Sequence, residues 1–305
     1  MSVLAGIGNT PLVELTRIVP SGSARVFMKL ECANPTGSMK DRMAVAAIEA
    51  AERDGRLRPG GTVVEYTAGT TGISLAFVCA AKGYGIEIVF SDAFSDEKRR
   101  TMQAFGAHIT DVQSDGGKIN EALIKKMIHV AGEITARPNH WWCDQLRNHD
   151  AVRGYLPLGE EIWAQTGGSV NAFVHAVSTA HSTHGVTEAL WKHDRGVRVV
   201  AVEPAESAVL SGQPSGSHKI EGIGIGFIPP LWQRDMVHDL ETVSTDDAKA
   251  MACRLSREEG IFAGTSTGAN VVAALRVARE MGAGATVVTI AVDSGLRYLS
   301  TDVYR

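Results

Sequence analysis

Residues 61–83 read GTVVEYTAGTTGISLAFVCAAKG. The first six, GTVVEY, are rich in β-branched and aromatic residues after a glycine, which predicts a strand. AGTTG, residues 68–72, turns the chain. ISLAFVCAAKG then has the small and apolar residues of a buried helix and stops at glycine. Strand, tight turn and helix in succession form the repeating unit of a mostly parallel sheet.

The same alternation runs outward in both directions. Strands are predicted at ARVFMKLE (24–31), IEIVFSD (86–92), HITDVQ (108–113) and HWWCDQ (140–145). Helices are predicted over SMKDRMAVAAIEAAERDG (38–55), with Ser38 as N-cap, over SDEKRRTMQAFG (95–106), and from about Asn120 to Ala131. Beyond residue 150 come a helix over 152–165, a strand over 171–177, a helix, and the strand VRVVAVE (197–203). Two further helices, near 245–259 and 267–281, and the strand ATVVTIAV (285–292) complete the pattern. The expected fold class is α/β, with mostly parallel sheets flanked by helices.

Composition sets the limits. A chain of 305 residues with 44% hydrophobic content suits one large domain or two smaller ones. The formal charge is −4 and the basic residues are scattered, which argues against nucleic acid. The four cysteines, Cys32, Cys79, Cys143 and Cys253, form no C-x-x-C, so reduced thiols in a cytoplasmic protein are expected. The opening MSVLAGIGNTP has neither the basic nor the apolar region of a signal peptide. LAFVCAA is far too short to span a bilayer, so no membrane association is expected.

In open parallel sheets ligands gather at the carboxyl ends of strands. EYTAGTTG, VSTAHSTHG (177–185) and VDSGLRY all follow predicted strands and mark the candidate site. VSTAHSTHG opens a helix, where backbone N–H groups point at an anion. His175, His181 and His184 raise a metal alternative, but no cysteine completes a familiar zinc pattern and no metal is expected. GIGIGF (222–227) lacks the final glycine of a dinucleotide fingerprint and follows no convincing strand. In NPTGSMKDR (34–42), Lys40 falls in the first turn of a helix. The helix dipole disfavours a cation there, which suits an amine nucleophile.

Six segments occur in a telling order: IGNTPLVEL, NPTGSMKDR, EYTAGTTGISLA, EGIGIGFIP, EEGIFAGTSTGAN and VDSGLRYLST. Together they resemble the cysteine synthase and cystathionine β-synthase group of pyridoxal-phosphate enzymes, the fold-type II or tryptophan-synthase-β-like family. The resemblance covers essentially the whole chain. It implies pyridoxal 5′-phosphate as cofactor and Lys40 as the lysine that forms a Schiff base with it and moves the Cα proton.

The resemblance also assigns the remaining site residues. TAGTT, Thr67 to Thr71, is similar to the family's substrate loop, usually Thr-Ser-Gly-Asn-Thr. Thr67, Ala68, Gly69 and Thr71 would wrap the substrate carboxylate, helped by Gln145. Thr70 stands where an asparagine contacts the cofactor's 3′-oxygen. Ser178, Thr179, Ala180, His181 and Ser182 occupy the phosphate loop, typically Gly-Thr-Gly-Gly-Thr. Ser178 and His181 replace glycines there. Ser294 takes the place of the serine that meets the pyridine nitrogen, with Asp293 next door. Gly224 and Gly226 leave room beside the cofactor.

The implied architecture is two domains: residues 1–37 with 148–305 as the large cofactor-binding domain, and 38–147 as a smaller, mobile substrate-loop domain. The implied reaction is β-replacement on an L-serine derivative resembling O-acetyl-L-serine, with sulfide or a thiol as nucleophile. β-Elimination or deamination, replacement with another nucleophile, and a non-catalytic ligand-binding relative are the alternatives. A homodimer and a serine acetyltransferase partner belong to the same set of expectations.

Overall fold

A computed structural model describes residues 2–117 and 121–305. The chain divides into two compact units, Met1–Ile7 with Lys40–Gly154, and Gly8–Met39 with Tyr155–Arg305. Among the described residues the strands are β1 (Leu12–Leu15), β2 (Arg25–Lys29), β3 (Thr62–Tyr66), β4 (Gly85–Ser91), β5 (His108–Val112), β6 (His140–Trp142), β7 (Ala172–Ala176), β8 (Arg198–Pro204), β9 (Asp239–Val243) and β10 (Thr286–Ile290). The α-helices are α1 (Lys40–Arg53), α2 (Thr70–Lys82), α3 (Asp96–Ala104), α4 (Glu121–Thr135), α5 (His149–Arg153), α6 (Leu156–Gln165), α7 (His181–His193), α8 (Thr245–Arg254) and α9 (Thr265–Met281). Asn120, the expected start of α4, lies outside the described residues.

The first unit holds a four-stranded sheet in the order β5-β4-β3-β6, parallel throughout. The second holds six strands in the order β1-β2-β10-β7-β8-β9. Only the β1–β2 pair is antiparallel. In the centre of this sheet β7 and β10 are buried along their whole length. That explains their continuous apolar character, since a parallel strand covered on both faces does not alternate. The expected α/β class with parallel sheets flanked by helices is the observed one.

Two details depart from the sequence reading. The helix expected over 152–165 is two helices, α5 and α6. Gly154 separates them with its backbone pressed on α1: a Cβ there would sit 2.5 Å from the Arg42 carbonyl oxygen. Pro157, at the start of α6, lacks the N–H that would continue a helix from before it. Ser38 forms an isolated bridge with Asp293. The edge strands β1 and β9 were not anticipated as strands. LVEL and DLETV are short, half-exposed and carry charge, so neither shows the apolar run of the central strands.

Close helix packing in the second unit depends on Gly268. A Cβ there would overlap the Ala248 carbonyl of α8. On α4 of the first unit, a Cβ on Gly132 would have its nearest neighbour at 3.9 Å. The same substitution should therefore act in opposite directions. In denaturant unfolding, Gly268→Ala should lose about 1–3 kcal/mol through overpacking, whereas Gly132→Ala should gain up to about 1 kcal/mol through helix propensity.

Candidate active site

In the first unit Lys40 is half-buried and opens α1, followed by buried Asp41 and Arg42. The segment Thr67 to Thr71 joins the carboxyl end of β3 to α2. Thr67 Oγ1 accepts the Gly69 N–H at 2.9 Å, tightening the turn. Gly69 has φ 136°, and a Cβ there would collide with the Lys98 side chain. Only glycine meets both conditions. The amides of Thr70, Thr71 and Gly72 find no acceptor among the described residues. Orphan donors of this kind, at a helix start, suit a carboxylate.

The structure brings Thr71 and Gln145 together. Thr71 Oγ1 donates to Gln145 Oε1 at 2.8 Å, and Gln145 Nε2 donates to the Tyr66 carbonyl at 2.8 Å. Beneath them lies Glu65, a residue sequence reasoning missed. Its carboxylate accepts the Gln145 N–H at 2.9 Å, the Tyr66 N–H at 3.0 Å and the Trp142 indole N–H at 3.4 Å. It is fully buried. The available signal was a lone carboxylate in the apolar strand TVVEY, which must find donors inside the protein. Ala68 is exposed and Thr70 half-buried on the same loop.

In the second unit β7 delivers the chain to α7. Sheet pairing persists to Val177, whose N–H meets the Val202 carbonyl at 2.9 Å. Ser178, Thr179 and Ala180 then form the turn. Ala180 is left-handed at φ 69°, a conformation that glycine adopts without the steric cost an alanine carries. Thr179 Oγ1 pairs with His181 Nδ1 at 3.0 Å, and His175 Nε2 pairs with Ser182 Oγ at 2.8 Å. The backbone N–H groups of Ser178, Thr179, Ala180, Ser182 and Thr183 have no acceptor among the described residues. His181 and Ser178 thus leave the amide donors intact while occupying places where glycine is usual. His175 and His181 engage hydroxyls, and no cluster of three potential metal ligands occurs among the described residues.

Gly224 abuts this turn. Its N–H donates to the Val177 carbonyl at 3.1 Å, and its φ is 61°. A Cβ there would lie 2.6 Å from Pro204 Cγ. Ser294 is held by its N–H to the Gly37 carbonyl at 2.9 Å and by a bridge with Ala263. Its Oγ accepts the Leu296 N–H at 3.3 Å. Asp293 turns elsewhere: it is buried and accepts the Tyr298 hydroxyl at 2.9 Å. Burial and the adjacent Asp293 charge hold the Tyr298 phenol protonated.

Burial, with help from Asp293, pushes the Cys32 thiol up to about 11, and burial raises Cys79 and Cys143 further. None is a ready thiolate.

Unmet amides at strand-to-helix turns suit a ligand with a phosphate, and a lysine heading a helix suits covalent capture of a carbonyl. Both features fit a cofactor-dependent α/β enzyme. This chain belongs to the pyridoxal-phosphate dependent enzymes, whose family model matches residues 3–293. A cysteine synthase of Staphylococcus aureus is 41% identical over 300 residues, 98% of this chain and 95% of the relative. The crystal structure of a cysteine synthase from Entamoeba histolytica superposes with TM-score 0.92 at 37% identity, covering 99% of this chain and 90% of that one. The structure of an O-ureido-L-serine synthase gives TM-score 0.93 at 35% identity, covering 99% and 94%. The fold is therefore the type II fold of this family, the cofactor is pyridoxal 5′-phosphate, and the unmet donors at the start of α7 fit its phosphate.

Glu65 provides a pH test of the substrate-loop lock. Burial raises its carboxyl to about 8, opposed by the Gln145, Trp142 and Tyr66 donors and assisted by the Asp144 charge. The folded value exceeds the unfolded one, so this contribution to stability is complete below about pH 4. It is lost as pH rises through about 8. Stability of the apoprotein relative to Glu65→Gln should fall by at most about 1.4 kcal/mol per pH unit across that window. Parallel unfolding curves for the two proteins from pH 5 to 9 measure it; parallel pH profiles would show that Glu65 is ionised throughout.

Proposed function

We propose that the protein makes L-cysteine or a close analogue by β-replacement on an L-serine derivative of the O-acetyl-L-serine type. The observation that carries the reading is the loop from Thr67 to Thr71, with its unmet amides and its hydroxyl locked to Gln145. Such a loop suits the carboxylate of an amino acid. The names of the cysteine synthase relatives supply the reaction type.

Pyridoxal phosphate, when bound, supplies the electron sink that acidifies the amino acid's Cα–H. The protein's residues then divide the work. Lys40 holds the cofactor through its amine, takes the Cα proton once that amine is released, and returns it at the end. Thr67, Ala68, Gly69, Thr71 and Gln145 hold the carboxylate and fix Cα in place. Thr70 would meet the cofactor's 3′-oxygen through its hydroxyl. Ser178 to Ser182 receive the phosphate, and Gly224 leaves space for the substrate. Ser294 offers a hydroxyl, which can hydrogen-bond a ring nitrogen without imposing full protonation as a carboxylate would. That restraint suits departure of a leaving group from Cβ.

Residues 38–147 are proposed as the smaller, mobile domain and the remainder as the cofactor-binding one. A cytoplasmic homodimer acting on a small amino acid completes the proposal, with a serine acetyltransferase as partner to be tested. No helix among the described residues is long and apolar enough to cross a membrane. The similarity to an O-ureido-L-serine synthase supports a second reading, in which the attacking group is a nitrogen or oxygen nucleophile.

Purified protein loaded with cofactor should convert O-acetyl-L-serine and sulfide to cysteine, and Lys40→Ala should lower turnover at least about 10³-fold. Consumption of O-acetyl-L-serine without cysteine formation would favour the second reading. No consumption of any O-substituted serine by a protein that holds its cofactor would overturn both.

A further inference from the structure

His175 is a polar residue in β7, one of the two fully buried strands of the six-stranded sheet, with 2% of its surface exposed. Its neighbour Asn270, on α9, has an unambiguous orientation. Asn270 Oδ1 accepts the Ala176 N–H at 2.8 Å, and Nδ2 donates to the Ile290 carbonyl at 2.9 Å. A backbone N–H needs an oxygen and a carbonyl needs a donor, so the carboxamide cannot be flipped. The second Nδ2 hydrogen faces His175 Nδ1 at 3.3 Å. That ring nitrogen therefore accepts, and the proton of the neutral imidazole sits on Nε2.

The consequence reaches the phosphate loop. His175 Nε2–H donates to Ser182 Oγ at 2.8 Å. The Ser182 hydroxyl hydrogen must then point elsewhere, and it has no acceptor among the described residues. Ser182 lies in the first turn of α7, beside the unmet amides of Ser178, Thr179, Ala180 and Thr183. In the opposite tautomer Ser182 would spend its hydrogen on His175 and present only lone pairs to an anion.

We propose that Asn270 and His175 are positioning residues that make Ser182 an obligate donor to the cofactor phosphate. The inference rests on the pyridoxal-phosphate site described above and adds to it a device that holds one donor in a fixed sense. It also gives a function to two polar groups that would otherwise be costly passengers in the core. The chain thereby gains a directed hydroxyl in a loop where Ser178 and His181 stand in place of glycines.

Cofactor dissociation constants of apoprotein titrated with pyridoxal phosphate test this without reference to turnover. Ser182→Ala should weaken binding at least tenfold, as expected for a hydrogen bond to a charged group. His175→Phe should weaken it several-fold. The double variant should match Ser182→Ala within twofold, because both act through one hydroxyl. The ³¹P resonance of the bound phosphate should move in the same direction in both single variants. Independent, multiplicative effects would assign His175 a merely structural role and overturn the proposal. Unchanged affinity in Ser182→Ala would overturn it whether or not His175→Phe folds. If the wild-type apoprotein takes up no pyridoxal phosphate, the failure belongs to the cofactor site and not to the relay.

Discussion

A parallel strand that ends under a helix start leaves backbone N–H groups without carbonyl partners, and this deficit sets up a candidate ligand-binding turn in each of the two units. It occurs between β3 and α2 in one unit and between β7 and α7 in the other. The donors belong to the main chain, so they survive changes of side chain that would destroy a side-chain site. VSTAHSTHG therefore keeps its backbone donors without the glycines usual in such turns. What the substitutions alter is local: a left-handed Ala180, and histidine and serine side chains to be accommodated.

Accommodation is achieved by buried polar pairing within each unit. Glu65 collects N–H donors under Gln145, and Gln145 in turn meets Thr71. Asn270 orients His175, and His175 meets Ser182. In both cases a buried polar group fixes a loop residue one step away from where ligand would bind. A buried group left unpartnered would cost about 1–3 kcal/mol, so these pairings are constraints as well as contacts. They restrict the loops to few conformations before any ligand arrives, which lowers the ordering cost of binding.

Much of this was legible in the sequence. The alternation of apolar runs and helical segments reports the α/β class because buried parallel strands and amphipathic helices have different periods. Lys40, Thr71 and Ser294 stood out through the order of the segments that hold them, and Gln145 through the family resemblance. Glu65, Asn270 and the roles of His175 were not legible. Each depends on a partner far along the chain, such as Asn270 with His175 or Glu65 with Gln145, and periodicity carries no information about such pairs. The break at Gly154 was hidden for the same reason, since the cause is the distant Arg42 carbonyl. His175, His181 and His184 first suggest a metal, yet His175 and His181 are bonded to hydroxyls.

The central claim is that Lys40 carries the cofactor. Borohydride reduction of the cofactor-loaded protein, followed by proteolysis and mass spectrometry, tests it most directly. The account predicts a phosphopyridoxyl group on the peptide containing Lys40 and no stable label in Lys40→Ala. Stoichiometric label on a different lysine in the wild-type protein would contradict it.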